Sequence, residues 1–448
     1  MLHLSIHDLI YQPAPWSGLF LVMLACGFTC GFGIVLMSAS SMYTDDVATR
    51  AFNGGSSIIA LTLIAAVPVV VAVSKLLVDE KLSSYALWVL AGSHPAKVCL
   101  VVLVQVFFVS LIGAALGMCF SFVVCWLSAA SVLFQYVGIT DAAVPPDPLS
   151  VVGFLIGSSL LAVAASFFGL KSILRVSPLK ALLLEDGHAE SLPRGAFLKC
   201  AMGFVLLAAT CVVSFEAPGG DASSAVSIGI TIPLLATLSF ALLAPVFLPL
   251  LLRVWAVVVP WGRNPIWRIA WRGIAYGKES LASIEIPLFV AFSLVSGVLS
   301  SVEMLLAFLE GQGVSSAAGL SFCQAVLFFC GPMVVCGVGA VASVLVRFAS
   351  SRKRASTLFS CGLDGGDLVK ELLAEALIHV ANAGLLGAIA VGVSCGFVSV
   401  ACGASPWGNL RLFEGACTLL FGLFLLLLAS IPAFASSHKG GYLDGLSE

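Results

Sequence analysis

Leu87-Trp88-Val89-Leu90-Ala91-Gly92-Ser93, at the centre of Lys75–Gly117, is the stretch whose reading decides the fold. A short charged segment, Lys75 to Lys81, leads into it from one long apolar run. Beyond Gly92 a second apolar run begins, carrying Gly113 and Gly117. The same plan returns 270 positions later as Leu358-Phe359-Ser360-Cys361-Gly362-Leu363, leading to Gly387. Gly92 maps onto Gly362, Gly117 onto Gly387 and Gln105 onto Glu375. A charged, Gly-ended helix between two apolar runs is a poor lipid anchor and a reasonable handle for a cytoplasmic partner.

Composition says what surrounds that handle. The chain has 448 residues, 60% of them hydrophobic and 10% charged, with a mean hydropathy of +1.11. A soluble globular chain carries about 25% charged residues. The surplus falls into apolar runs of roughly 20 residues or more, long enough to cross about 30 Å of hydrocarbon. The expected class is an all-α polytopic membrane protein, in contact with the lipid bilayer and with no nucleic-acid partner. The 14 cysteines are scattered without a CxxC pair or zinc-like spacing, so they read as small apolar core residues. His3 and His7 stand at i and i+4 without a third ligand, and no metal site is expected. The first apolar run lacks a preceding Lys or Arg and is too long for a cleavable signal.

Ten spans are expected, at 17–39, 55–74, 98–127, 149–170, 198–215, 226–252, 284–307, 321–347, 371–401 and 414–436. His3–Gln12 reads as a short interfacial helix before the first. Pro233, Pro245 and Pro249 predict a kink in the sixth. With both termini in the cytoplasm, the inner loops collect 19 of the 21 lysines and arginines, leaving Arg50 and Arg411 outside. That asymmetry is what the positive-inside rule demands of a correct count. The outer loops are short and mildly acidic, too short for an extracytoplasmic domain.

The 270-residue offset relates spans one to four to spans seven to ten. An even number of spans separates equivalent elements, so the copies share one orientation, as a parallel repeat. The expected division is a first four-helix unit over 1–190, a linking two-helix hairpin over 191–260 and a second four-helix unit over 261–448. The second unit opens on a basic, aromatic lead-in (Trp267, Arg268, Trp271, Arg272, Lys278) suited to a headgroup layer.

At these positions the sequence resembles the FtsX-like permease family, the membrane subunits of ABC transporters of the MacB and BceB types. Arg352-Lys353-Arg354, Leu358–Gly362, Glu375 and Gly384–Gly387 resemble the family's charged segment, Gly-ended helix and span with spaced glycines. Lys81, Leu87–Gly92, Gln105 and Gly113–Gly117 look like a weaker copy. Ser177-Pro178-Leu179-Lys180-Ala181-Leu182 resembles the family's tail, and Arg268–Ile274 its lead-in. The matches touch both four-span units. The chain departs from the family in lacking a large extracytoplasmic domain, in an N-terminal lead-in without Lys or Arg, and in a C-terminal tail, His438–Glu448, without a Ser-Pro motif.

The resemblance implies a non-catalytic permease subunit in the plasma membrane. A separate homodimeric ATP-binding subunit would bind ATP and Mg and dock from the cytoplasm on Leu87, Leu90, Gly92, Leu358, Phe359 and Gly362. The expected cargo is a peptide, lipid or amphipathic compound, exported, extracted, or acted on by force transmitted across the membrane. No GxxxxGK[ST] occurs in the sequence, and Gly277-Lys278 lacks both the upstream Gly and the following hydroxyl residue. The chain itself therefore needs no cofactor.

Within the spans, Glu371, Glu375 and His379 follow at i, i+4 and i+8 on one face. Ionisable groups there are costly and point to function. Their expected role, with Gln105, is to anchor the Gly-ended helix, Lys370 or Arg347 pairing with the glutamates. Glu303 is a candidate for a substrate cleft. Gly27 and Gly31, Gly113 and Gly117, and Gly387 would let helices approach closely. The rival class is an ion-gradient-driven secondary transporter with parallel repeats. A membrane enzyme finds no support: there is no HExxH and no paired intramembrane aspartates.

Overall fold

The protein is described from a computed structural model covering residues 14–42, 46–127, 146–175, 194–215, 222–258, 265–276, 278–311, 322–346, 357, 358, 360, 362–402 and 410–438. Among the described residues it is helical without strands. The helices are α1 (Ala14–Ser40), α2 (Asp46–Glu80), α3 (Leu82–Leu90), α4 (Pro95–Leu127), α5 (Pro148–Arg175) and α6 (Arg194–Phe215). They continue with α7 (Ala222–Val258), α8 (Pro265–Tyr276), α9 (Lys278–Gly311), α10 (Phe322–Val346), α11 (Gly365–Cys402) and α12 (Leu412–His438). Helices satisfy every backbone group within their own segment, the condition for crossing hydrocarbon.

Eight helices among the described residues are long and apolar enough to cross a membrane: α1, α2, α4, α5, α6, α7, α9 and α11. At the eighth and tenth expected positions the described apolar segments, Gly331–Val346 and Leu412–Leu428, are shorter. The second span is expected to stop at residue 74, and α2 continues through the charged segment to Glu80. Lys75 and Asp79 stand at i,i+4 with N···O 4.0 Å, a spacing that supports a helix. In α7 the three prolines lie inside one helix unbroken over 37 residues.

By contacts the helices form two compact units. In the first, α1 packs on α2 and α4, and α5 lies against α2 and α4. The fifth long helix there is α10, from much later in the chain, which packs on both α1 and α2. Small residues set these contacts. A Cβ on Gly27 would meet the Ala114 carbonyl, one on Gly31 the Ser121 Cβ at 2.6 Å, and one on Gly113 the Phe20 oxygen at 2.9 Å. Gly117 sits against the Leu24 carbonyl and the Phe28 nitrogen. All four glycines therefore line the α1–α4 crossing, with backbones as close as side chains usually are. Gly331 and Gly339 of α10 admit Thr62 and Val69 of α2 in the same way.

In the second unit, α9 packs on α7, α11 and α12, α6 on α7, and α8 on α11. Its core gathers Ile232, Phe292, Met304, Leu305, Val391, Cys395 and Val398. Here one large ring takes the place of a glycine crossing. Phe292 lies between Gly387 of α11 and Gly415 of α12, and a Cβ on either would strike its ring. The lead-in helix α8 exposes Arg268 and Arg272 and buries Ala270 and Ile274, an amphipathic split.

Candidate functional site

Each Gly-ended segment is a helical elbow with defined hydrogen bonds. In the first unit, α3 ends at Ala91, and Gly92 turns at φ +94°. The Gly92 N–H donates to the Val89 carbonyl at 3.0 Å, and the Ser93 N–H to the Trp88 carbonyl at 3.0 Å. That pair of bonds is the Schellman cap, which requires a left-handed residue. His94 then starts the next helix: its carbonyl accepts the Lys97 N–H at 2.9 Å, and its ring Nδ1 accepts the Ala96 N–H at 3.3 Å. Pro95, the first residue of α4, has no N–H to leave unsatisfied.

The second unit carries the same elbow. Gly362 also turns at φ +94°, and these two are the positive-φ glycines among the described residues. The Leu363 N–H donates to the Leu358 carbonyl at 3.2 Å, the counterpart of the Ser93–Trp88 bond. Asp364 stands where His94 does: its carbonyl accepts the Asp367 and Leu368 N–H groups at 3.1 Å, and its Oδ1 accepts the Asp367 N–H at 2.9 Å. The helices that follow start at Pro95 and Gly365, 270 residues apart. The two elbows thus share the φ of their glycine, the bond from the residue after it and the carbonyl that opens the next helix.

The elbows differ in what they present. In α3, Tyr85 and Ala86 are buried while Leu87 and Leu90 are 54% and 53% exposed. Lys81, at the start of α3, is buried with its Nζ 5.6 Å from the Trp16 ring centroid, a cation–π arrangement that ties the elbow to α1. At the second elbow Leu358 and Leu363 are half-buried, and Thr357 and Ser360 are exposed. Phe359 lies outside the described residues, as do His3–Gln12, Arg347, Arg352–Arg354 and Ser177–Leu182.

The residues proposed as anchors lie on the helices that leave the elbows. Gln105 of α4 and Glu371 of α11 are buried, and Glu375 is half-buried. Lys370 does not reach toward the glutamates: its Nζ is 2.9 Å from Asp367 Oδ1, at i,i+3 in the first turn of α11. Deeper in the second unit the face of Glu371, Glu375 and His379 meets groups from other helices. His379 Nδ1 is 2.8 Å from Glu285 Oε1 of α9. Asn382 Nδ2 donates to Glu285 Oε2 at 2.5 Å and to the Leu248 carbonyl of α7 at 3.4 Å. Glu285 is 0% exposed. The sequence reading passed over Glu285 and Asn382, although Glu285 interrupts the seventh apolar run just as Glu303 does.

Glu303 stands near the other end of α9. The Arg411 guanidinium grips its carboxylate with two nitrogens, Nε donating to Oε2 at 2.7 Å, and a third nitrogen donates to Glu414 Oε1 at 3.1 Å. The Arg411 backbone N–H donates to Ser300 Oγ at 2.9 Å. The Glu303 carboxylate, helped by Glu414, holds the Arg411 guanidinium protonated well beyond its ordinary range.

Residues 56–178 match the family model of the FtsX-like permease C-terminal domain. No curated protein matches the chain. The matched stretch takes in α3, the Gly92 elbow and α4, all in the first unit. Motif comparison had ranked the second copy above the first, and the match falls on the first. What stands on these findings is a stretch similar to an FtsX-like permease domain and, among the described residues, eight helices long and apolar enough to cross a membrane, which suggests a membrane permease component of an ABC-type transporter.

Proposed function

We propose that this chain is the permease subunit of an ABC transporter, in the plasma membrane with ten spans and both termini in the cytoplasm. A separate homodimeric ATPase, binding ATP and Mg, docks on the two elbows and moves α4 and α11. The observation that carries this reading is the duplicated elbow: glycines 270 residues apart at the same φ, each followed by a residue whose N–H bonds five residues back. A left-handed glycine followed at once by a long apolar helix makes a stiff lever, because the cap fixes the angle between α3 and α4. Leu87 and Leu90 supply an exposed apolar pair of the kind that seats in a partner's groove, and Leu358, Phe359 and Gly362 form the second seat. Gln105, Glu371 and Glu375 anchor the levers below the seats. Cargo is a peptide, lipid or amphipathic compound, and Glu303, paired with Arg411, is the candidate residue for its cleft.

Affinity purification of the tagged chain from its native membrane tests this. An ATPase should come with it, and Leu90→Glu combined with Leu358→Glu should release that subunit while the permease stays in the membrane. A complex without any ATPase, whose flux follows an ion gradient and ignores ATP, would transfer the assignment to secondary transport.

A further inference from the structure

We propose that Glu285 is a proton-binding site inside the second unit, filled from Glu375 through the His379 ring. Three observations meet there. Glu285 is fully buried within the apolar segment Ala282–Leu305, yet both its oxygens are engaged, Oε1 by His379 and Oε2 by Asn382. The other ring nitrogen, His379 Nε2, points to Glu375 Oε1 at 4.0 Å, and Glu375 is 23% exposed where Glu285 is closed. Asn382 Oδ1 is buried without a hydrogen-bond partner among the described residues.

These positions form a route of graded exposure, half-open at Glu375, nearly closed at His379 and shut at Glu285. They also leave a vacant acceptor next to the last carboxylate. A buried pair kept only for stability has no use for an orphaned amide oxygen, whose desolvation goes uncompensated.

The transfer balances with one proton. A carboxylate only accepts, so with Glu285 ionised the imidazole N–H faces it from Nδ1 and Nε2 is the free base. A proton from the Glu375 carboxyl binds Nε2 as the Nδ1 proton passes to Glu285 Oε1. The ring ends neutral in the other tautomer, Glu285 ends as the acid, and Glu375 is reprotonated from water. The gap of 4.0 Å is too long for a direct hydrogen bond and closes by a rotation of the half-exposed Glu375. Protonated on Oε1, Glu285 donates back to His379 Nδ1; if the carboxyl group turns to bring that O–H to Asn382 and the amide turns over with it, the O–H donates to Asn382 Oδ1 and Nδ2 is withdrawn from the Leu248 carbonyl of α7. Proton occupancy is thereby felt by α7, α9 and α11 together.

Among the described residues, the groups bearing on Glu285 can be named. From α11 they are His379, Glu375 and, farther along the same face, buried Glu371. From α7 it is the Leu248 carbonyl, Arg253 of that helix being exposed. On α8, Arg268 and Arg272 are exposed. Glu303, Arg411 and Glu414 engage one another about 27 Å along α9 from Glu285.

The test uses the full chain in lipid nanodiscs, without the ATPase, so it stands apart from the docking reading. Infrared difference spectra are taken as pH is lowered and after a pH jump. Wild type should gain a protonated-carboxyl band that Glu285→Gln lacks, and Glu375→Gln and His379→Gln should each slow its appearance by roughly a hundredfold. A band that persists in Glu285→Gln, or one that rises at the wild-type rate in both other variants, overturns the proposal. Should Glu285→Gln fail to fold, the two pH-jump rates decide the matter alone.

Discussion

Gly92 and Gly362 show how much one residue can settle. Both sit at φ +94° with nothing within 4 Å of where a Cβ would go, so the need for glycine there is purely conformational. Gly92→Ala should destabilise by about 1–2 kcal/mol, the penalty of a left-handed alanine, and Gly92→Asn by less, since Asn tolerates that region. Gly117 is the opposite case. A Cβ there meets the Leu24 carbonyl and, at 2.8 Å, the Phe28 nitrogen, so a facing backbone must move. Gly117→Ala should cost about 3 kcal/mol, and thermal unfolding of the full chain in detergent should rank it below Gly92→Ala. The reverse order would mean the crossing is looser than the structure shows. Glycines of both kinds were legible in the sequence, because turns and close crossings admit few other residues. The Glu285–His379–Asn382 cluster was not legible as a cluster: its members come from helices almost a hundred residues apart, and spacing along one helix reports only that helix's own face.

At the scale of elements, helix ends follow local chemistry that the sequence carries openly. α5 begins with Pro148 behind Asp147, whose carboxylate accepts the Ser150 hydroxyl at 2.8 Å, the Ser150 N–H at 3.1 Å and the Leu149 N–H at 3.4 Å. The Ser150 hydroxyl, followed by these N–H groups, holds the Asp147 carboxyl below its ordinary value. A depressed carboxyl supports the fold above its unfolded pKa and loses that support as pH falls through the folded one. The start of α5 should therefore fray as pH drops below about 4, seen as faster amide exchange at Val151 and its neighbours after correction for intrinsic rates. Asp147→Asn, which keeps an acceptor without the charge, should abolish this pH dependence; an unchanged profile would assign it to another group. The second span is expected to end at residue 74, whereas its helix runs on to Glu80. Lys, Leu and Glu are good helix formers, and charged residues at the end of a membrane helix can reach water without breaking it.

At the scale of the molecule, the compact units do not follow the order of the chain. α10 lies in 261–448 but completes the first unit, while α6 and α7 lie in 1–260 and pack within the second. The two elbows were legible because their glycines stand 270 residues apart in like surroundings. Which helices share a unit was not, because helices apolar all round leave that choice to small-residue contacts such as Gly331 on Thr62 and Gly18 on Val346. The exchange makes a sharp prediction. Residues 1–260 produced alone would keep α1 and α2 without the helix that covers Thr62 and Val69, and would keep α6 and α7 without α9 and α11. That fragment should be degraded or aggregate, and so should 261–448. Produced together in one cell, the two should associate and return to the detergent stability of the intact chain, because each supplies what the other lacks. Stable, monodisperse recovery of either fragment alone would show that the halves are self-sufficient. The Gly92 and Gly362 elbows would then belong to separable domains, each built from its own half of the chain.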